Sequence, residues 1–144
     1  MALLQGLLSG KYTSAEQVPA PQAHSRHYRK ERGLAPDGTN FSRHNENGCE
    51  KEMFAVLQRM REIAKEEHVT VSVLALAWAI ANPSITCIIM GARNLHQLEE
   101  NLSAIDYHIP QHVKKELNEI SLPIWDLLGD NPDYYENRTK SRIN

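Results

Sequence analysis

Hydrophobic positions along this chain form short continuous runs and longer runs with a helical period, divided by one long polar stretch. The first run, residues 3–8, starts almost at once and is stopped by Gly10. A short apolar run ended by glycine predicts a buried strand rather than a terminal arm. A buried strand needs a neighbour on each side and nothing earlier supplies one, so the pattern predicts a chain cut from something larger. Residues 12–48 then carry Pro19, Pro21, Gly33, Pro36, Gly38 and Gly48 without a sustained apolar period. They predict a loop with at most short helical turns, and loops this long are functional or disordered.

From Cys49 the period becomes helical. Met53, Val56, Leu57, Met60, Ile63 and Ala64 share one face, with charged residues largely off it. Thr70 is a good N-cap for a second helix over residues 71–81, apolar nearly all round. Asn82-Pro83 ends it. Residues 85–90, a β-branched run stopped by Gly91, predict a second buried strand. Asn94 caps a third helix, with Gln97 at the capping-box position and Leu95, Leu98, Leu102 and Ile105 on one face. Pro110 opens a fourth, with Val113, Leu117 and Ile120 inward, and a tail with Trp125, Leu127 and Leu128 follows. Strands alternating with helices predict an α/β fold with two parallel strands and a right-handed crossover. Two strands are too few for a doubly wound sheet, and a (β/α)8 TIM barrel takes about 250 residues, so an incomplete barrel is expected.

Composition narrows this picture. The chain has 144 residues, 41% hydrophobic and 24% charged, with a formal net charge of -2. That predicts one compact domain with one core. So small a charge argues against nucleic-acid and membrane-surface partners, which need a positive excess. Cys49 and Cys87 sit in unlike surroundings, which argues against a bridge between them. No apolar run approaches a membrane span, the start lacks a signal-peptide pattern, and a reducing, cytoplasmic compartment is expected. The basic cluster Arg26, Arg29, Lys30 and Arg32 reads by charge alone as a solvated loop.

The segment with the most chemical information is Gly91-Ala-Arg-Asn-Leu-His-Gln-Leu-Glu-Glu-Asn101. It sets a glycine and an arginine directly before a helix N-terminus, whose N–H groups and dipole suit a phosphate. Arg93 is able to add a bidentate contact. Gln97, Glu100 and Asn101 share one helix face and suit a purine edge. Equally, Asn94 and Gln97 may be read as capping residues and Glu100 and Asn101 as solvated, and spacing alone leaves both readings open. His24/His27 and His108/His112 have spacings found in metal sites, but no Cys or carboxylate completes either set, so no metal is expected.

Gly-Ala-Arg-Asn-x-x-Gln-Leu-Glu-Glu-Asn resembles the adenosine 2′-phosphate segment of aldo-keto reductases. Leu3-Leu-Gln-Gly-Leu-Leu-Ser-Gly-Lys-Tyr12 resembles that family's seventh-strand motif, and Leu74-Ala-Leu-Ala-Trp78 the helix before its eighth strand. The three stand in the family's order over residues 3–106. The resemblance implies the C-terminal half of such a barrel: strand and phosphate loop in residues 1–12, a long loop in 13–48, helices with the last strand and the adenosine helix in 49–121, and a tail in 122–144. It implies NADPH as cofactor, with Leu3 against the diphosphate and ribose and Lys11 near a phosphate. Arg26 would belong to the loop that folds over the cofactor. Gly91 and Arg93 would hold the adenosine phosphate, and Gln97, Glu100 and Asn101 would flank the adenine.

The family's catalytic Tyr, Lys, Asp and His precede its seventh-strand motif, so the resemblance implies no catalytic residue among these 144. Lys11-Tyr12 is not that pair, which comes from different strands. Met1-Ala2 departs from the family's usual opening. The parent is expected to be an NADPH-dependent oxidoreductase that reduces a small carbonyl substrate, and this chain alone to be inactive. The alternative is a non-catalytic nucleotide-binding or assembly fragment. Open strand edges predict a homo-oligomer that hides residues 3–8 and 87–90, or association with the missing N-terminal half.

Overall fold

The computed structural model describes residues 2–143. Met1, part of the unusual opening, lies outside them. Four α-helices carry the chain: α1 (Glu50–Glu66), α2 (Val71–Ile80), α3 (Leu95–Leu102) and α4 (Gln111–Leu128), with short 3-10 turns between. The chain divides into two compact units, not the one domain expected. The first takes residues 1–11 and 57–120, and the second takes 12–56 and 121–144.

The expected pair of parallel strands is corrected by the structure. Among the described residues no strand forms, and pairing is confined to an isolated antiparallel bridge between Leu34 and Asn40. The incomplete α/β barrel is therefore replaced by a helical arrangement. The reason lies in backbone hydrogen bonding, because a buried strand with no ladder partner leaves its polar groups unmet. The opening run instead coils into a 3-10 segment, Leu4–Ser9, whose bonds are local: Gly6 and Leu8 N–H both donate to the Leu3 carbonyl, at 2.8 and 3.2 Å. Leu4 and Gln5 are held there at φ of 45° and 57°, a region that non-glycine residues seldom occupy. Residues 85–90 form neither helix nor strand and lie mostly exposed. They keep an alternation, with Ile88 and Met90 packed inward and Ile89 outward at 88% exposure.

In the first unit α2 is the centre. Its seven residues Val71 to Ala77 are all buried, as expected of a helix apolar all round. Thr70 caps it, accepting the Val73 N–H at 3.2 Å. Lys114 Nζ donates to the Ala81 carbonyl just past its far end, at 2.6 Å. Val73 and Leu76 of α2 join Ala104 in a cluster on which Ala2, Leu3, Val69, Ile88, Met90 and Tyr107 pack. Gly10 sits so near α2 that a Cβ there would lie 2.9 Å from a Val71 methyl, and its φ is +77°. The face of α1 marked by its period is buried at all six positions. The leucine face of α3 is not, and Leu95, Leu98, Leu102 and Ile105 are exposed.

In the second unit the polar stretch is folded. Ala15–Gln17 and Lys30–Gly33 are 3-10 turns. The basic cluster is not simply solvated. Arg32 donates to both carboxylate oxygens of Glu50, at 3.0 and 2.9 Å, and also pairs with Glu16. Arg26 is buried. Gly48, at φ +65°, is required by close approach, since a Cβ would fall 2.1 Å from the Tyr28 carbonyl oxygen. The fourth helix runs beyond its expected end, through Pro123 to Leu128, and buries Ile124 and Leu128.

His27 is 5% exposed, with Ser25 Oγ 3.2 Å from its Nδ1 and the Tyr134 ring tilted 5.1 Å away. Desolvation, and then the neighbouring Arg26 charge, hold its pKa down at about 4, against 6.5 when unfolded. The unfolded chain therefore binds the extra proton first. The stabilisation by neutral His27 is complete above pH ~6.5 and is lost as pH falls to about 4. At 1.36 kcal/mol per unit it is worth on the order of 3 kcal/mol. Urea midpoints measured from pH 7.5 to 4 should fall more steeply for the wild type than for His27→Gln. Equal slopes would show that His27 is not the titrating group.

Candidate functional site

Seven of the eight expected cofactor residues, Leu3, Lys11, Gly91, Arg93, Gln97, Glu100 and Asn101, lie in the first unit, and Arg26 lies in the second. The strongest local assembly is the turn into α3. Asn94 is extended at φ -152° and ψ 169°, and its Oδ1 accepts the Gln97 N–H at 2.9 Å. Gln97 Oε1 reaches back to accept the Arg93 N–H at 3.0 Å. This reciprocal cap fixes the chain direction just before the helix. One turn on, Asn101 is 5% exposed and its Nδ2 donates to the Gly91 carbonyl at 3.4 Å. Residues 91, 93, 94, 97 and 101 are thus tied into one loop-to-helix unit.

The capping reading of Gln97 accordingly holds, and Asn101 is inward rather than solvated. The two side-chain amides bond to the backbone of residues 91 and 93, so they position the turn. Arg93 itself is exposed, as is Gly91. A Cβ at Gly91 would meet nothing within 4 Å, so the space over the turn is open. A capped helix start, an exposed guanidinium one residue before the cap and open space beside the backbone together suit a phosphate ester. Glu100 is half-buried on the next turn.

Leu3 packs on the Val73–Leu76–Ala104 cluster, as does Met90, the neighbour of Gly91. The opening segment and the glycine turn are therefore seated on the same apolar base. Lys11 folds back over the opening turn, with its Nζ 3.0 Å from where a Cβ of Gly6 would be.

Arg26 is bound differently from a surface loop arginine. Its Nε donates to Glu46 Oε2 at 2.7 Å, Nη2 to the Leu128 carbonyl at 2.7 Å and Nη1 to the Asn131 carbonyl at 3.2 Å. Its backbone N–H donates to the Tyr134 carbonyl at 2.6 Å. It therefore closes the C-terminus of α4, whose last carbonyls have no partner within the helix. The tail that it grips is itself ordered by Asp133. That carboxylate is 1% exposed and accepts Arg142 Nε and Nη2, both at 2.8 Å, and the Tyr135 N–H at 2.9 Å. The Arg142 charge, foremost, keeps its pKa well below the usual carboxylate range.

Sequence reasoning found no pairing for these tail acids. Spacing gives no signal for Asp133 with Arg142, because the Asn131-Pro132-Asp133 turn joins them and not a helix period. His24 Nδ1 bonds the Pro21 carbonyl at 2.7 Å, and His108 Nδ1 the Asp106 carbonyl at 3.0 Å. Among the described residues no three His, Cys, Asp or Glu side chains gather as a metal site would require. Cys49 is buried and Cys87 exposed, and both are unpaired. No helix of the described residues is long and apolar enough to cross a membrane.

Comparison with known proteins follows the same residues. The chain is 30% identical over 104 residues to L-glyceraldehyde 3-phosphate reductase of Escherichia coli (strain K12), a match covering 72% of this chain and 27% of that protein. It is 28% identical over 109 residues to a probable voltage-gated potassium channel subunit beta of Arabidopsis thaliana, covering 72% and 28%. An uncharacterized oxidoreductase of Bacillus subtilis (strain 168) is 31% identical over 64 residues, or 44% of this chain and 20% of that protein. The chain thus spans little more than a quarter of the length of the first of these relatives. The model of the aldo/keto reductase family matches residues 1–122. This chain belongs to the aldo/keto reductase family.

Proposed function

We propose that these residues are the NADPH-binding part of an oxidoreductase that reduces aldehydes or ketones to alcohols, with its catalytic residues not among the 144. The observation that carries this reading is the tied turn from Gly91 to Asn101, with its open glycine and exposed arginine, in a chain of this family. NADPH, when bound, supplies the hydride. The chain's own residues bind and orient it. Arg93 would meet the 2′-phosphate, with the dipole of α3 behind it, and Gly91 would give that group room. Gln97 and Asn101 would hold the turn in shape, and Glu100 would face the adenine. Leu3 and Lys11 would flank the diphosphate from the same apolar base. Two unpaired cysteines accord with a reducing, cytoplasmic setting.

A second reading, a non-catalytic nucleotide-binding or assembly fragment, draws on a different observation. Ile85, Ile89, Leu95, Leu98, Leu102 and Ile105 of the first unit are all at least 40% exposed. So much open apolar surface on neighbouring turns marks an association surface. Leu7 is already 1% exposed, so the part left to associate is the face from Ile89 along α3 rather than residues 3–8. The relative named as a channel subunit beta is a family member whose name places it in an assembly.

Cofactor choice tests the first reading. Losing a guanidinium that grips the 2′-phosphate costs about 1.5–3 kcal/mol, or ~10- to 150-fold in affinity. Arg93→Ala should weaken NADPH by that factor and NADH far less, read by titration of nucleotide fluorescence. Equal losses for both nucleotides would remove Arg93 from the phosphate. Association tests the second. Light scattering over a dilution series should show a concentration-dependent homo-oligomer that Leu98→Glu dissociates. A wild type that stays monomeric at every concentration contradicts it.

A further inference from the structure

We propose that the C-terminal strap, residues 129–143, competes with the phosphate groups of a dinucleotide for Arg26, so that nucleotide binding requires the strap to lift. The proposal rests on the reading above in which Arg26 belongs to the cofactor loop. What the structure adds is that the same guanidinium is closed off from inside the chain. Its side chain is 6% exposed, and two of its three nitrogens donate to the carbonyls of Leu128 and Asn131. Carbonyls are neutral acceptors. A phosphate oxygen is charged, and a hydrogen bond to it is about twice as strong. The strap therefore offers the weaker acceptors and keeps its place through bonds of its own.

Those bonds are of two kinds. Within the strap, Asn131 Oδ1 accepts the Asp133 N–H at 3.0 Å, Asn131 Nδ2 donates to the Glu136 carbonyl at 3.0 Å, and Asp133 takes both arms of Arg142. Against the loop that precedes α1, Arg43 pairs with Glu136 at 3.1 Å, His24 stacks on Tyr135 and Tyr134 lies against His27. The pivot is Gly129. It follows the last residue of α4 at φ +62°, and a Cβ there would touch nothing. A glycine in open space at a helix end lets the strap swing without moving the helix. Asp133 is the control point, since it fixes the segment that presents the Asn131 and Tyr134 carbonyls to residue 26.

The test uses the full chain, with NADPH and inorganic pyrophosphate as separate probes. Asp133→Ala unties the strap, and Arg142→Gln loosens it while leaving Asp133 its bonds to Asn131 and Tyr135. Both should bind either probe more tightly than the wild type, Asp133→Ala by about tenfold, as expected when a charged hydrogen-bonding group is freed. Adding Arg26→Ala to either should erase the gain. Hydrogen exchange at residues 134–136 should quicken in the variants and, on adding NADPH, in the wild type. If Asp133→Ala loses its helical circular dichroism, Arg142→Gln decides by the same criteria. NADPH binding of equal strength in the wild type and both strap variants would overturn the strap and leave the proposed function standing. Binding of neither probe by any of them would overturn both.

Discussion

Every backbone N–H and C=O taken from water must find a partner, and this requirement shapes the chain more than its hydrophobic pattern does. Residues 3–8 and 85–90 are apolar enough for buried strands, but an apolar side chain gives the backbone no partner. The first run meets its need by turning into a 3-10 segment closed on the Leu3 carbonyl, with positive φ at Leu4 and Gln5. The second stays irregular, keeping only the in-and-out alternation of Ile88, Ile89 and Met90. Helices carry their hydrogen bonds within themselves, so α1, α2 and α4 form as their sequences direct.

The same requirement organises the second unit. The end of α4 presents carbonyls that the helix cannot satisfy, and Arg26 reaches them from a distant stretch of sequence. Burying a guanidinium is costly unless its donors are met, and here Glu46 supplies the charge while Leu128 and Asn131 supply the remaining acceptors. Asp133 does for the strap what Arg26 does for the helix end. One buried carboxylate gathers an arginine and two backbone N–H groups.

Local signals were legible in the sequence and partnered ones were not. The six-residue face of α1, the Thr70 cap, the all-round burial of α2 and the Asn94–Gln97 cap follow from period and residue type, and each is present. The strands failed because a strand depends on neighbours that sequence pattern does not supply. The leucine face of α3 was expected inward and is exposed, because a stripe shows that a face is apolar but not what covers it. At the candidate site, the phosphate-suited turn was legible from Gly91, Arg93 and Asn94. The inward bond of Asn101 to Gly91 was not, since helical spacing places a residue on a face without choosing its partner. Arg26 was singled out through family resemblance, and its partners Glu46, Leu128 and Asn131 lie 20, 102 and 105 residues away, beyond any local rule.

The central claim is that a turn held by Asn94, Gln97 and Asn101 forms a phosphate site at the start of α3. Amide chemical shifts on titration with adenosine 2′,5′-bisphosphate test it most directly, because that probe carries the adenosine phosphate without the nicotinamide. Saturable shifts centred on the amides of residues 91–97, absent with adenosine alone, are the predicted result. No saturable change in that segment at millimolar probe would contradict it.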